Sequence, residues 1–382
     1  MSAARLGILG TARRPGPPRD GARAALAGTA LALAVACACG RAAPAAPRGP
    51  VPPTAVAQDS LIRPGERHFA HLWQLTFGGQ NAEGYWSSDD RSLVFQSTRD
   101  GWPCDQEFVM SMATGEVTRV STGTGRCTCG YFYDHDRRVL FASTHAGGDS
   151  CPPKPDYSKG YTWAVYATYD LWTARPDGTD LQRLTDRPGY DAEATVSNDG
   201  RWILFTSKRD GDIDLYKMHV DGTGLTRLTH ELGYDGGGWF SRDGKWICWR
   251  RDDLSDTAQA RIFRELLDQD LVRPTLMNLW VMRADGSDKR QVTRLPGASF
   301  APYFTPDGRS LIFASNWENP RGRNFDLYLV PVAGGTPEPV TRDPDFDGFP
   351  MFNRDGKWLV FASNRGGKVR GETNLFLAEW RR

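Results

Sequence analysis

The sequence predicts an all-β fold, a six-bladed β-propeller, because one strand-and-turn pattern occurs six times along it. In each copy a polar turn precedes a strand of aromatic and aliphatic residues, and these turns contain Asp90, Asp136, Asp199, Asp243, Asp307 and Asp355. Turns with Asp-Gly or Gly-Gly separate two later strands at 176–179, 220–223, 284–287 and 333–336. Each unit also contains Leu-Thr or Val-Thr near its end. These regularities predict six four-stranded blades in a ring.

The spacing of the six turns predicts two insertions. The first, third and fifth intervals between their aspartates are 46, 44 and 48 residues, and the second and fourth are 63 and 64. Blades 2 and 4 therefore carry extra segments, at 145–163 and 252–275. In the second segment Ser255 or Asp256 is a candidate cap for a helix that reaches about Asp268. Its apolar stripe is expected either to pack onto the propeller or to act as a lid or docking helix; the stripe consists of Ile262, Phe263, Leu266 and Leu267.

The two ends of the repeat region predict how the ring closes. Blade 6 ends with its third strand at 375–380, whereas a Leu-Thr segment stands before the first blade at 71–76. We therefore expect this N-terminal segment to pair with blade 6 as its fourth strand, which leaves no open sheet edge. Deletion of 68–78 should then destabilise the whole domain.

The first 67 residues differ in composition from the rest. An apolar run at 24–36, preceded by Arg13, Arg14, Arg19 and Arg23, is too short to span a bilayer permanently, so the pattern predicts a signal peptide over residues 1–37. The sequence Ala-Val-Ala-Cys at 34–37 resembles a bacterial lipobox, and Cys37 is either lipidated or part of an ordinary cleavable signal. Residues 38–67, rich in Ala and Pro, predict an extended tether, and 68–382 form the predicted propeller.

The charge balance argues against two classes of partner. Basic and acidic residues number 47 and 46 and are mixed along the chain, so the formal charge is only +1. Strong attraction to nucleic acid or to an anionic membrane surface is therefore not expected. We expect a monomer that contacts a membrane only through a lipid on Cys37, if that residue is modified.

Two segments resemble the repeat of the TolB-type β-propellers: GYDAEATVSNDGRW at 189–202 and LYKMHVDGTGLTRLT at 215–229. The resemblance extends over all six predicted blades. It implies a TolB-like propeller without the N-terminal α/β domain that TolB itself carries. For function, it implies a periplasmic or secreted module of the bacterial cell envelope.

Acidic and amide residues align where the first strand of a blade enters the central channel: Asn81, Asp191, Asp235 and Asp347. Glu83 and Glu193 match each other two residues further on. Such oxygen ligands, facing one another, are candidates for a divalent cation such as Ca²⁺. Alternatively, they bond loop backbones and channel water. No bidentate ligand set is defined, so no metal or other cofactor is assigned.

Basic residues align at the exit of the second strand: Arg99, His145, Lys208, Arg209, Arg250, Arg251 and Arg365. They are expected on the same face as the carboxylates and have the opposite charge. One interpretation is a polar funnel for a peptide terminus or an anionic sugar. The other is a surface of salt bridges.

Four cysteines belong to segments of blades 1 and 2 that the predicted fold brings to this face. In an exported protein disulfides are expected, with Cys129–Cys151 as the first choice and Cys104–Cys127 beside it. Cys248, within an apolar strand, is expected to be a buried thiol.

The sequence favours a module that binds a protein or peptide, or acts as a scaffold, through the face that bears the insertions. No catalytic residue is assigned, and no Gly-x-Ser-x-Gly elbow of a serine hydrolase is present. The alternative is a metal-dependent hydrolase or lyase, acting on carbohydrate or peptide, that uses the acidic channel mouth. A glycosidase would use a carboxylate pair such as Glu83 with Glu193 or Asp191.

Overall fold

The computed structural model describes residues 49–252, 254 and 256–381, and β-strands are its main regular structure. The predicted signal peptide (1–37), the lipidation candidate Cys37 and the first part of the predicted tether (38–48) lie outside the described residues. Before the repeats come β1 (Val56–Ala57), a 3-10 helix (Asp59–Leu61) and β2 (Phe69–Gln74).

The first three blades are antiparallel sheets of four strands each. Blade 1 consists of β3 (Asn81–Trp86), β4 (Ser92–Ser97), β5 (Gln106–Ser111) and β6 (Val117–Arg119). Blade 2 consists of β7 (Cys127–Tyr133), β8 (Arg138–Ser143), β10 (Asp170–Ala174) and β11 (Gln182–Arg183), with β9 (Trp163–Ala164) in its insertion. Blade 3 consists of β12 (Asp191–Val196), β13 (Trp202–Ser207), β14 (Asp214–His219) and β15 (Thr226–Arg227). Short 3-10 helices lie at Arg99–Gly101, His145–Gly147 and Tyr157–Lys159.

The last three blades complete the six that the sequence predicts. Blade 4 consists of β16 (Asp235–Phe240), β17 (Trp246–Asp252), β19 (Met277–Arg283) and β20 (Arg290–Gln291), with helix α1 (Thr257–Leu267) and β18 (Leu271–Val272) in its insertion. Blade 5 consists of β21 (Ser299–Phe304), β22 (Ser310–Ser315), β23 (Asp326–Pro331) and β24 (Glu338–Pro339). Blade 6 consists of β25 (Asp347–Phe352), β26 (Trp358–Ser363) and β27 (Asn374–Trp380), followed in the sheet by β2 and β1.

The repeated residues form the core between the blades. One aromatic residue in the second strand of every blade is fully buried: Phe95, Phe141, Phe205, Trp249, Phe313 and Phe361. The turn before it is held by side chains; in blade 3 the Asp199 carboxylate accepts hydrogen bonds from the Ser197 hydroxyl and the Arg201 backbone N–H. Gly200 follows with φ +70°, a backbone conformation that glycine adopts without strain.

The Leu-Thr signature also has a structural reason. The fourth strands are short, and the hydroxyl of the signature residue accepts a hydrogen bond from a backbone N–H of the third strand. In blade 3, Thr229 Oγ1 accepts from the N–H of Leu215 at 2.9 Å, and in blade 6 Thr76 Oγ1 accepts from that of Leu375 at 2.8 Å. The hydroxyl thus satisfies a buried donor where the ladder ends.

The N-terminal strand closes the ring as predicted. Strand β2 pairs with β27, with Leu72 opposite Ala378 and Gln74 opposite Phe376. Strand β1 then adds a fifth strand to this blade outside β2.

The prediction that 38–67 is a tether is wrong for the described part, 49–67. Besides forming β1, this segment places Glu66 in the core, where it is 3% exposed and bonded to Arg365. Arg63 makes an ion pair of 2.7 Å with Asp343. The high Ala and Pro content therefore does not prevent packing, because a few polar anchors and one strand attach the segment to blade 6.

The two insertions meet on one face of the ring, which we call the insertion face; there the first strands begin and the second strands end. Strands β9 and β18 pair as a two-stranded ribbon, with Trp163 opposite Val272. Helix α1 is capped by Asp256, whose carboxylate accepts a hydrogen bond from the Ala258 N–H. Phe263 and Leu267 are buried, so the predicted stripe packs onto the propeller. None of the helices in the described part of the chain has the length and apolar character needed to span a membrane.

The predicted disulfide pairings are wrong. The bond joins Cys104 to Cys151, whereas Cys127 and Cys129 are free thiols. Both free thiols lie on the inner strand β7, where Cys127 Sγ faces Ser143 Oγ at 3.3 Å. The bonded pair instead lies in two loops of the insertion face and attaches the blade 2 insertion to blade 1. Cys248 is a buried thiol, as predicted.

Candidate functional site

The first residue of each inner strand is paired within its own blade. These residues are Asn81, Cys127, Asp191, Asp235, Ser299 and Asp347. In five blades the residue opposite is the serine that ends the second strand, and in blade 4 it is Arg251, one residue before the end of that strand. The predicted alignment is therefore confirmed, but the predicted face-to-face arrangement across the channel is not.

Asp191 illustrates the arrangement. Its carboxylate is 1% exposed and accepts hydrogen bonds from the Ser207 hydroxyl at 2.5 Å and from Arg209 Nη2, which lies 2.9 Å from both oxygens. The Arg209 guanidinium also lies over the rings of Phe205 and Tyr216, at 4.9 and 5.0 Å. Asp191 and Arg209 are thus a buried ion pair inside blade 3, and neither is available to a ligand in the channel.

Asp347 and Arg365 form the corresponding pair in blade 6, with Glu66 as a third member. Arg365 is 0% exposed and donates to Asp347 at 2.8 Å and to Glu66 at 3.1 Å. Burial raises the pKa of Asp347, although the Arg365 charge opposes that rise. This triad attaches the N-terminal segment to blade 6.

Asn81 and Asp235 also have partners in their own blades. The Ser97 hydroxyl donates to Asn81 at 2.7 Å, and the Trp249 indole donates to Asp235 at 2.5 Å. Burial raises the pKa of Asp235 to about 8. The predicted set of cation ligands is therefore divided among separate blades. In the described residues, no group of three or more His, Cys, Asp or Glu side chains is arranged to hold a metal ion.

Arg99 and His145 likewise pack at the exits of their own second strands. Arg99 lies 5.6 Å over the Phe108 ring and 3.4 Å from Asp100. His145 Nδ1 is 2.8 Å from the Ser143 hydroxyl, and its ring lies 4.1 Å from that of Trp172. Burial lowers the pKa of His145. The structure thus favours paired side chains over a funnel of unpaired basic groups.

The third residue of each inner strand has a left-handed backbone. These residues are Glu83, Cys129, Glu193, Gly237, Ala301 and Phe349, with φ between 50° and 60°. The strand register shifts at this point in all six blades, which identifies a β-bulge. The predicted match between Glu83 and Glu193 is part of this series. Side chains from different blades meet here, since the Glu83 carboxyl of blade 1 is hydrogen-bonded to the Cys129 thiol of blade 2.

Glu193 is fully engaged by hydrogen-bond donors. Its carboxylate accepts from the Tyr234 hydroxyl at 2.6 Å, the Thr206 hydroxyl at 2.8 Å, the Gly237 N–H at 2.9 Å and Arg250 Nη2. A Cβ on Gly237 would meet the Arg250 guanidinium at 1.9 Å, so the guanidinium occupies the space that any other side chain would need. Glu193 and Arg250 therefore neutralise each other.

Glu83 has weaker partners. Its carboxyl hydrogen-bonds to the Cys129 thiol and is 3.5 Å from the Tyr85 hydroxyl. Burial raises its pKa to about 7, and the charge of Glu193 raises this pKa by more than the charge of Arg250 lowers it. Glu83 can therefore exchange a proton near neutral pH, which is a property of general acids and bases.

Glu107 lies beside this carboxyl and was not identified from the sequence. It is 0% exposed, and within the described residues no side chain donates to its carboxyl oxygens, although the backbone N–H of Gly130 lies close enough to oppose part of the burial effect. Burial raises its pKa well above the usual range, and the charge of Glu83 adds to the effect. The other five blades have leucine at this position: Leu171, Leu215, Leu279, Leu327 and Leu375. That exception to the repeat was the signal in the sequence. We call Glu83, Glu107, Cys129, Glu193 and Arg250 the acidic channel cluster.

Both ends of the acidic channel cluster are covered. Toward the opposite face, Trp239 lies between Tyr85, Tyr131 and Tyr303, with ring centroids 4.8, 5.2 and 5.1 Å away, and these rings plug the channel. On the insertion face, Trp163 of the ribbon lies 5.1 Å over the Arg250 guanidinium. The ribbon crosses the ring, because the Trp163 ring also contacts Phe300 of blade 5 at 6.4 Å.

Large apolar side chains are exposed on the insertion face. Phe77, Tyr157, Tyr161, Leu276 and Val369 are between 38% and 65% exposed. Tyr157 and Tyr161 are stacked with centroids 5.8 Å apart, and the Trp163 indole donates to the Tyr161 hydroxyl at 3.1 Å. The disulfide at Cys151 anchors the loop that carries them.

No protein-family model matches the chain, and no curated protein matches its sequence. Solved structures do match. A gluconolactonase from Xanthomonas campestris is similar over 88% of this chain and 99% of its own, with 14% identity and a TM-score of 0.55. A TolB protein from Agrobacterium tumefaciens is similar over 80% of this chain and 91% of its own, with 19% identity and a TM-score of 0.51. An oligogalacturonate lyase in complex with manganese is similar over 87% and 97%, with 14% identity and a TM-score of 0.50. At these identities the likeness establishes a shared fold.

Proposed function

We propose that this TolB-like six-bladed β-propeller is exported and binds a protein or peptide of the bacterial cell envelope on its insertion face. The observation that carries the proposal is the stacked pair Tyr157 and Tyr161, which are 49% and 53% exposed on a disulfide-anchored loop. Aromatic side chains held in a fixed position bind partners at little cost in conformational entropy and are enriched at interface hot spots.

Export is supported by two observations from different parts of the chain. Residues 1–37 have the charge and hydropathy pattern of a signal peptide. The Cys104–Cys151 disulfide is suited to an oxidising compartment such as the periplasm. Lipidation of Cys37 remains a prediction, and the mass of the mature N-terminal peptide tests it.

The covered channel favours binding at the surface over catalysis inside the ring. Substrate would have to pass the ribbon at Trp163 to reach Glu83, and Glu193 is already held by four donors. The insertion face, in contrast, offers exposed apolar side chains next to polar loops, which is the composition of many protein interfaces.

Photo-cross-linking in the native envelope tests the proposal. A cross-linking amino acid at Leu276 should capture the same partner from wild-type protein and from the control variant Leu181→Ser/Leu225→Ser. The control residues are 37% and 45% exposed in hairpin turns away from the insertion face. The variant Tyr157→Ser/Tyr161→Ser should reduce the captured partner by at least about tenfold, because the loss of a hot-spot aromatic costs about 2 kcal/mol or more. Equal capture by both double variants would contradict the proposal.

A second candidate function is a metal-dependent hydrolase or lyase that uses the acidic channel cluster. The observation in its favour is Glu83, whose pKa of about 7 suits proton transfer. The described residues do not include three metal-ligating side chains around a common point, so the cluster does not fit a preformed metal site. Elemental analysis distinguishes the two functions: a stoichiometric metal in the wild type that is absent from Glu83→Gln would favour the enzyme.

A further inference from the structure

A cavity of about 510 Å³ lies on the face opposite the insertions, where the first and second strands are joined by turns. We call it the turn-face cavity; it is lined by Asp90, Arg242, Pro306, Asp307, Arg354 and Asp355. These residues come from blades 1, 4, 5 and 6, so the cavity surrounds the channel mouth on this face. It is shallow and open to solvent.

The two arginines of this cavity lack carboxylate partners. Among the described residues, neither Arg242 nor Arg354 makes an ion pair, and the Arg354 guanidinium donates no hydrogen bond. Arg242 Nη1 donates to the backbone carbonyl of Arg354 at 2.7 Å, which places its guanidinium across the mouth from blade 4 to blade 6. Basic residues of the neighbouring turns are paired with aspartates of the same turn: Arg91–Asp89, Arg137–Asp134, Arg201–Asp199, Lys245–Asp243 and Lys357–Asp355.

The aspartates of the cavity are already engaged by donors. Asp307 accepts from the Thr305 hydroxyl at 2.7 Å and from the Arg309 N–H at 3.1 Å. Asp355 accepts from the Lys357 N–H at 3.0 Å and pairs with the same lysine. Asp90 accepts from Asn353 and from the Arg354 N–H. Accepting these bonds does not remove the acidic groups from the cavity, so a ligand would meet both the unpaired guanidinium donors of the two arginines and the neighbouring carboxyl groups.

We propose that the turn-face cavity binds a small polyanion through Arg242 and Arg354, with carboxylate or phosphate groups as the recognised chemistry. The guanidinium fork matches both groups with two parallel hydrogen bonds. This site is independent of the partner surface on the insertion face, so the two proposals can fail separately.

Isothermal titration calorimetry of the purified full-length protein tests the proposal, with citrate and inorganic phosphate as probes and spermidine as a probe of opposite charge. We expect at least one anion to bind with a Kd below about 1 mM, and more weakly at high ionic strength. The better anion identifies the carboxylate or the phosphate source. Arg354→Gln should weaken that binding by about tenfold or more, since it removes charge-assisted hydrogen bonds. Arg201→Gln, in a turn outside the cavity, should leave it unchanged.

Misfolding cannot mimic this result, because the Arg354 guanidinium makes no hydrogen bond within the described residues and Arg354→Gln should keep the wild-type melting temperature. Arg242→Gln should weaken binding in the same direction. Tighter binding of spermidine than of either anion, no anion binding below about 1 mM, or equal affinity in wild type and Arg354→Gln would each overturn the proposal.

Discussion

Replacement of Glu107 by leucine should stabilise the protein, although glutamate is the native residue. The carboxyl is fully buried and receives no side-chain hydrogen bond in the described residues, with only the Gly130 backbone N–H as a nearby donor, and the five equivalent residues are leucines that are also fully buried. A neutral polar group buried in this way costs about 1–3 kcal/mol. Leucine also adds apolar contact, but its shorter side chain leaves some space beside Gly130, so we expect a net gain of about 2–3 kcal/mol at pH 5, where ionisation of the unfolded carboxyl adds little.

The gain should depend on pH, with a direction set by the raised pKa of Glu107. The unfolded carboxyl ionises near 4.5, whereas the folded one keeps its proton to a much higher pH. The native state is therefore penalised increasingly as pH rises above 4.5, by up to about 1.4 kcal/mol per pH unit until the folded pKa is reached. The free energy of unfolding of Glu107→Leu should thus exceed that of the wild type by less at pH 5 than at pH 7.

Equilibrium urea unfolding at pH 5 and pH 7 measures both effects. Glu107→Gln is the matched control: it removes the titration but keeps a buried polar group, so it should reduce the pH dependence with a smaller gain. Leu171→Glu, the reverse change in blade 2, should destabilise. The reasoning would be refuted if Glu107→Leu were less stable than the wild type, or if it gained the same stability at both pH values. Either result would indicate that the carboxyl is held by a ligand or buried water.

Three further changes test the closure of the ring and its attachments. Arg365→Ala should lower the free energy of unfolding by roughly 3–5 kcal/mol, because it leaves the buried carboxylates of Glu66 and Asp347 without their cation. Thermal unfolding measures the loss, and a melting temperature within a degree or so of the wild type would contradict this prediction. Deletion of 68–78 removes β2, so the variant should no longer show a cooperative unfolding transition when it is followed by circular dichroism. A cooperative transition in this variant would show that ring closure by β2 is dispensable. Cys151→Ser, or reduction of the wild type, should lower the free energy of unfolding by roughly 2–5 kcal/mol, whereas Cys129→Ser should change it little. Equal effects of the two substitutions would argue against the Cys104–Cys151 bond.

Much of the fold could be predicted from the sequence, because each blade depends on local patterns. Turn residues such as Asp199 and Gly200, the buried aromatic residue of the second strand and the Leu-Thr segment all act within one repeat of about 45 residues. The closing strand was predicted for the same reason: the missing fourth strand of blade 6 had one visible counterpart at 71–76.

The arrangement at the channel could not be predicted in the same way. The alignment of Asp191 and Asp347 was correct, but whether each carboxylate faces the channel or an arginine of its own blade depends on side-chain direction. The β-bulge at the third position turns Glu83 and Glu193, and not Asp191, toward the other blades. Nor does sequence distance reveal that the ribbon joins the insertions of blades 2 and 4.

The six-fold repeat, the strand order and the seam were thus determined by the sequence itself, since turns and strand periodicity are short-range properties of the chain. The tertiary structure decided the Cys104–Cys151 pairing, the packing of 49–67 onto blade 6 and the burial of Glu107 beside Glu83. These features depend on which side chains from distant repeats share one small volume, and only the closed ring brings them together.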